Sequence, residues 1–195
     1  MDELSGWGKV LNPSGFSTTV LGMEMKRNIF LIGPRACGKT SIGRVLAERL
    51  GLGFVDTDHV LVESVGMEVS RYVEEYGWAG FRDKETEILE QVAGTGVRVI
   101  GCGGGIVLRV ANRELLKAGL TLYLKTDPEV LAARLMNDPN EAQRPSLTGK
   151  SIVDEVREVL AERAPLYEGC ADVILPEGSL DVVVAQALKE VELLS

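Results

Sequence analysis

Histidine occurs once in this chain of 195 residues, at His59, and cysteine three times, at Cys37, Cys102 and Cys170. An odd number of cysteines at scattered spacings, with no CxxC pair and no histidine pattern beside them, indicates neither a disulfide framework nor a zinc site. The lone histidine is weak support for a general base, and no Ser-His-Asp set surrounds it to suggest a hydrolase. Basic residues are outnumbered, with Lys plus Arg at 21 against Asp plus Glu at 29 and a net charge of −8. Sequence-independent nucleic-acid binding needs a basic face, so that class is excluded. Aromatic residues make up 5% of the chain, and Trp7, Trp78 and the four tyrosines are too scattered to form a stacking platform for bases. No stretch approaches the roughly 18 to 20 apolar residues of a membrane span. The opening MDELSGWGKV carries acids where a secretory signal would carry positive charge. The expectation is a cytoplasmic protein whose partners are small molecules, with no nucleic acid and no membrane, acting as a monomer.

What is present is the material of one folded domain, since 45% of the residues are apolar and the length suits a single core. Residues 1–24 lack a clear period and read as a flexible leader, with the domain spanning 25–195. Short apolar runs expected to be strands occur at NIFLIG (28–33), GFV (53–55), RVIG (98–101), TLYL (121–124) and DVIL (172–175). Helical spacing fills the intervals, as at Ile42, Val45, Leu46 and Leu50. It also marks the last segment, where Leu180, Val183, Val184, Ala187, Leu188 and Val191 fall on one stripe. Thr126, Asp127, Pro128 and Glu129 form a helix start signal. This alternation predicts an α/β fold with a five-stranded parallel sheet flanked by helices on both faces. Ligands then belong beyond the C-terminal ends of the strands. The polar segment 136–151, MNDPNEAQRPSLTGKS, breaks the rhythm and reads as a mobile lid.

GPRACGKT, residues 33–40, fits G-x-x-x-x-G-K-[ST] between a predicted strand and a predicted helix, the context that a phosphate-binding loop requires. Gly33 and Gly38 let the backbone wrap phosphate oxygens, Lys39 reaches the β and γ phosphates, and the Thr40 hydroxyl can ligate Mg²⁺. Ser41 extends the turn, and Cys37 is read as a small filler. GCGGG at 101–105 follows another strand, and bare backbone there suits close approach to a ligand. In FVDTDH, residues 54–59, Asp56 and Asp58 stand two apart. If the run ends as a strand, both acids face one side; helix capping, metal ligation and substrate contact all remain open. FRDKE at 81–85 places Arg82 three residues from Glu85, so a local ion pair competes with a ligand role for the arginine. Arg82, Arg144 in the lid and Arg163 in ERAPLY could together serve an anionic substrate and a transferring phosphoryl group.

Taken in order, GPRACGKT, DTD, FRDKE, GCGGG, QRPSL and RAPLYE resemble the bacterial-type shikimate kinases of the nucleoside-monophosphate-kinase-like P-loop fold. The resemblance runs from about Asn28 to the C-terminus. It implies a three-layer P-loop fold with a lid and a substrate-binding helical segment at about 57–93. It implies ATP held by Gly33, Ala36, Cys37, Gly38, Lys39, Thr40 and Ser41, with Arg134 near the adenine and Arg144 swinging toward the phosphates. Mg²⁺ would be held by Thr40 and, through water, by Asp56. Asp58 would contact the hydroxyl of shikimate that is phosphorylated. Arg82 and Arg163 would grip the shikimate carboxylate, and Gly103, Gly104 and Gly105 would line it. The implied catalytic group is Lys39, Asp58 and Arg144. The chain departs from the family pattern in reading GWAGFR where an acid usually precedes the FR pair, and RPSL where RPLL is common. A kinase of another small hydroxy acid such as gluconate, or of a nucleoside monophosphate, and a non-catalytic nucleotide switch are the competing readings.

Overall fold

The computed structural model describes residues 19–20, 23–137 and 146–194, with side chains described from residue 25. Most of the expected leader and the centre of the expected lid, including Arg144, lie outside the described residues. Within the leader, β1 (Thr19–Val20) and β2 (Met23–Glu24) pair antiparallel.

The five expected strands form one sheet: β3 (Ile29–Ile32), β4 (Gly53–Asp56), β5 (Arg98–Gly101), β6 (Leu120–Leu124) and β7 (Val173–Leu175). Their order is β4-β5-β3-β6-β7, and every neighbouring pair runs parallel. The helices are α1 (Lys39–Leu50), α2 (Thr57–Val65), α3 (Val69–Ala93), α4 (Val110–Leu116), α5 (Pro128–Met136), α6 (Ile152–Cys170) and α7 (Leu180–Leu194).

The three layers follow from the pleat. Along β3, Ile29 and Leu31 enter one apolar cluster while Phe30 and Ile32 enter the other, so the strand is buried on both faces. On the first face α1 and α7 contribute Leu46, Val183, Val184, Ala187 and Val191; on the second α3 contributes Phe81, Ile88, Leu89 and Val92. Each fully buried side chain of this kind contributes about 1.5–3 kcal/mol relative to exposure. The α7 stripe is as expected except at its first member, since Leu180 remains 42% exposed. α5 begins as its start signal predicts, with the Asp127 side chain accepting from the Glu129 amide at 2.8 Å. In α3 the helix is interrupted at Gly77, whose φ of 70° and ψ of 170° lie outside helical space. A side chain there would be strained, which is why this kink sits on glycine.

Because all five strands are parallel, the loops leaving β3, β4, β5, β6 and β7 emerge along one edge of the sheet. β3 lies at the switch point: the chain crosses to β4 and β5 on one side of it, then to β6 and β7 on the other. Ligands collect at such a crevice.

Candidate active site

The loop after β3 holds its shape through left-handed backbone at Ala36 and Gly38, with φ of 60° and 102°. Lys39 curls back over this loop, Nζ donating to the Gly33 carbonyl at 2.9 Å and the Pro34 carbonyl at 2.7 Å. The ammonium thus stands at the mouth of the α1 N-terminus, where backbone amides and the helix dipole favour an anion. Thr40 and Ser41 follow on the exposed first turn.

Thr40 joins the second loop, its Oγ1 donating to Asp56 Oδ2 at 2.8 Å. The other oxygen, Asp56 Oδ1, accepts from the Asp58 amide at 3.1 Å, so Asp56 is the N-cap of α2. The strand ends at Asp56 and Asp58 lies in the first helical turn. The pleat argument for a shared face therefore fails: the capping turn, not β alternation, brings both carboxylates to one cavity. His59 points elsewhere, pairing with Glu63 at 3.2 Å on the exposed side of α2.

That cavity has a volume of about 440 Å³ and receives residues from all five loops. Ala36, Cys37, Gly38, Lys39, Thr40 and Ser41 form one wall, and Asp56, Asp58 and Gly104 form the inner end. The outer end is built by Lys125, Thr126, Arg134, Pro176 and Glu177. Arg134 is held there by donating to the Ala36 carbonyl at 3.0 Å, with Glu177 at 3.8 Å. Lys125, Thr126 and Glu177 were not anticipated as site residues from sequence, because their signal is only their place after the end of a strand.

Beyond Asp58 the third loop turns through Gly103, Gly104 and Gly105. A Cβ on Gly103 would lie 2.5 Å from Asp58 Oδ1 and 2.8 Å from Glu85 Oε1, and one on Gly105 would lie 1.9 Å from Arg82 Nη1. Packing within the protein therefore explains two of the three glycines, since the protein's own Asp58, Glu85 and Arg82 occupy the space a side chain would need. At Gly104 a Cβ would meet nothing nearer than 3.6 Å. Its carbonyl accepts from Arg163 Nη1 at 3.2 Å and from the Tyr167 hydroxyl at 2.5 Å. Tyr167, one turn after Arg163 on α6, was another residue that sequence reasoning missed.

Arg82 does form the local pair, Nη1 to Glu85 Oε2 at 2.8 Å, and its guanidinium carbon lies 5.4 Å from the Trp78 ring centre and 5.1 Å from that of Phe81. Held this way it is preorganised for a planar anion. Arg163 is 8% exposed, and its Nε is buried with no hydrogen-bond partner among the described residues. The loop thus gathers two carboxylates, Asp58 and Glu85, and two guanidiniums, with Glu85 already paired to Arg82.

Glu85 is 2% exposed, and burial pushes its pKa above the ordinary carboxylate value, against the opposing charge and hydrogen bond of Arg82. A raised folded-state pKa means that the folded protein binds this proton more tightly than the unfolded chain. The resulting stabilisation is complete below the unfolded value of 4.5 and is lost as pH rises through the folded value. Thermal midpoints of the parent should accordingly fall, relative to Glu85→Gln, as pH is raised from 4.5 toward neutrality. A gap independent of pH would show that Glu85 does not titrate as its burial demands.

A family model described as shikimate kinase matches residues 35–192. The chain is 49% identical over 152 residues to a shikimate kinase of Nitratidesulfovibrio vulgaris, covering 77% of this chain and 86% of that protein. It is 42% identical over 171 residues to shikimate kinase 2 of Pectobacterium atrosepticum, covering 87% and 98%. Among solved structures, shikimate kinase from Acinetobacter baumannii in complex with shikimate is similar with a TM-score of 0.78 and 33% identity, over 85% of this chain and 92% of that one.

Proposed function

The chain belongs to the shikimate kinase family, and we propose how its own residues carry out the reaction that this membership assigns to it. It is an ATP-dependent kinase that transfers the γ-phosphoryl group to the 3-hydroxyl of shikimate, giving shikimate 3-phosphate and ADP on the route to aromatic amino acids. The observation that carries the residue assignments is the convergence of Asp58, Arg82 and Arg163 on the triple-glycine loop, next to a phosphate-binding loop.

ATP lies in the cavity of about 440 Å³ with its phosphates on the amides of the loop and α1, and its base at the end bounded by Arg134 and Pro176. Thr40 and Asp56 supply adjacent hard oxygens, the donor type that Mg²⁺ takes when substrate phosphates and water complete its shell. Bound there, the ion would neutralise charge on the β and γ phosphates. Arg82 and Arg163 clamp the shikimate carboxylate in fork geometry. Asp58, at the junction of the two sites, accepts a hydrogen bond from the 3-hydroxyl and aims its oxygen at the γ-phosphorus. Lys39, and Arg144 by its place in the sequence, spread the charge that develops on the transferring group. The protein acts as a cytoplasmic monomer; among the described residues no helix is long and apolar enough to cross a membrane.

The test is a coupled assay of ADP release with shikimate, gluconate and nucleoside monophosphates offered at equal concentration. Shikimate should be preferred by at least about 10²-fold in kcat/KM, since a nucleoside monophosphate offers the arginines no carboxylate and open-chain gluconate must lose more conformational freedom to hold its carboxylate on the arginines and a hydroxyl on Asp58 together. Equal use of gluconate, or ADP release unaffected by any acceptor, would overturn the assignment.

A further inference from the structure

A single carboxylate oxygen on α6, outside the machinery described so far, collects an unusual number of donors. Glu155 Oε2 accepts from the Leu147 amide at 2.9 Å, the Thr148 amide at 3.0 Å, the Thr148 hydroxyl at 3.2 Å and the Ser146 hydroxyl. Ser146 Oγ in turn accepts from the Gly149 amide at 2.8 Å. The segment therefore folds back on the first turn of α6, which Ser151 caps by accepting from the Asp154 amide at 3.3 Å. Burial pushes the Glu155 pKa up, but these hydrogen bonds outweigh it and hold the group below its ordinary value, so it is ionised at neutral pH. Bonds to an ionised acceptor are the stronger kind.

What this anchor holds in place is the wall of a second cavity, of about 430 Å³. Leu147, Val156, Val159 and Leu160 line it with apolar surface, Arg163 and Tyr167 close one end, and Pro34 of the phosphate-binding loop contributes to the wall. Arg163 therefore touches both the triple-glycine loop and the space beneath the anchored segment. If the segment moves, water gains a route to the guanidinium and to the phosphate-binding loop from the same side.

We propose that Glu155 is a positioning residue for phosphoryl transfer: by pinning Ser146, Leu147 and Thr148 it fixes the apolar wall beside Arg163 and keeps water from competing with shikimate. This rests on the assignment of shikimate as acceptor. In the competing reaction a water oxygen forms the new bond to the γ-phosphorus, and the bond from phosphorus to the bridging oxygen of ADP breaks. The products are ADP, inorganic phosphate and a proton released to solvent. The anchor suppresses that reaction without touching a reactant.

Glu155→Gln and Glu155→Ala test this, read by the ratio of ADP released to shikimate phosphorylated, the KM for each substrate, and the thermal midpoint. The parent should give a ratio of one. Each variant should raise it above one, and Glu155→Ala should weaken shikimate binding about tenfold or more, the scale of hydrogen bonds to a charged acceptor. MgADP affinity should stay within about twofold, because the nucleotide cavity shares no anchor contact. Hydrogen exchange supplies a readout besides turnover: the amides of Leu147 and Thr148 should lose protection in Glu155→Gln. A ratio of one with unchanged shikimate KM and unchanged exchange would overturn the proposal. A ratio of one and an unchanged KM with lost protection would overturn it too, by making Glu155 a merely structural contact. If Glu155→Ala fails to fold, Glu155→Gln carries the same outcomes. A parent protein that does not phosphorylate shikimate would instead refute the assignment on which the proposal rests.

Discussion

Asp58→Asn should phosphorylate shikimate roughly 10²–10⁴-fold more slowly than the parent, the range for loss of a positioned acid-base group, while binding MgATP nearly as well. The substitution keeps the shape of the side chain that fits against Gly103, where a Cβ would come within 2.5 Å of Oδ1. It replaces one acceptor oxygen by an NH₂ donor, so the 3-hydroxyl loses an anionic partner that strengthens as the oxygen attacks phosphorus. Thr40 and Asp56 keep their bond of 2.8 Å, and Lys39 keeps its place over the loop, so the groups assigned to the phosphates and the metal are unchanged. The check pairs kcat from ADP release with MgADP affinity from calorimetry. Near-normal turnover would remove Asp58 from the mechanism.

Arg82→Ala and Arg163→Ala should each raise the shikimate KM by about 10- to 150-fold, the equivalent of about 1.5–3 kcal/mol for hydrogen bonds to a charged group. The two variants differ in what they leave behind. Without Arg82, Glu85 loses its ion-pair partner, and breaking a buried pair this way costs about 3–5 kcal/mol of stability. Without Arg163, the Gly104 carbonyl keeps its bond from Tyr167. Gly105→Ala moves the charge instead of removing it, since its Cβ would fall 1.9 Å from Arg82 Nη1, the nitrogen bonded to Glu85, and must displace the guanidinium. It should reproduce the KM effect of Arg82→Ala with ATP affinity unchanged. Shikimate affinity unaltered in both arginine variants would exclude the clamp.

The parts of the site legible in the sequence are those written in consecutive residues. GPRACGKT, DTD, GCGGG and RAPLYE each leave a strand or ride a helix in register, and the parallel sheet brings the strand-end loops to one edge without further information. The strand runs 28–33, 53–55, 98–101, 121–124 and 172–175 match the observed sheet to within a residue or two, because parallel strands buried on both faces need uninterrupted apolar runs. What could not be read depends on contacts between distant segments. Nothing local to GCGGG says that Gly103 and Gly105 make room for Asp58, Glu85 and Arg82 from two other elements. Nor does DTD reveal that the first acid caps a helix and the second rides on it. Tyr167 lies within RAPLYE, but its contact was hidden, as was that of Glu155, for the same reason: their partners, Gly104 and the segment 146–148, are distant or folded back on the helix.

Product identity tests the central claim most directly. When the protein is incubated with MgATP and shikimate, phosphorus NMR should show ADP and a monophosphate ester formed in equal amounts, with the ester phosphorus coupled to the proton on C3. An ester at another hydroxyl, or ADP with free phosphate and unmodified shikimate, would contradict the placement of Asp58 against the 3-hydroxyl between the nucleotide cavity and the arginine clamp.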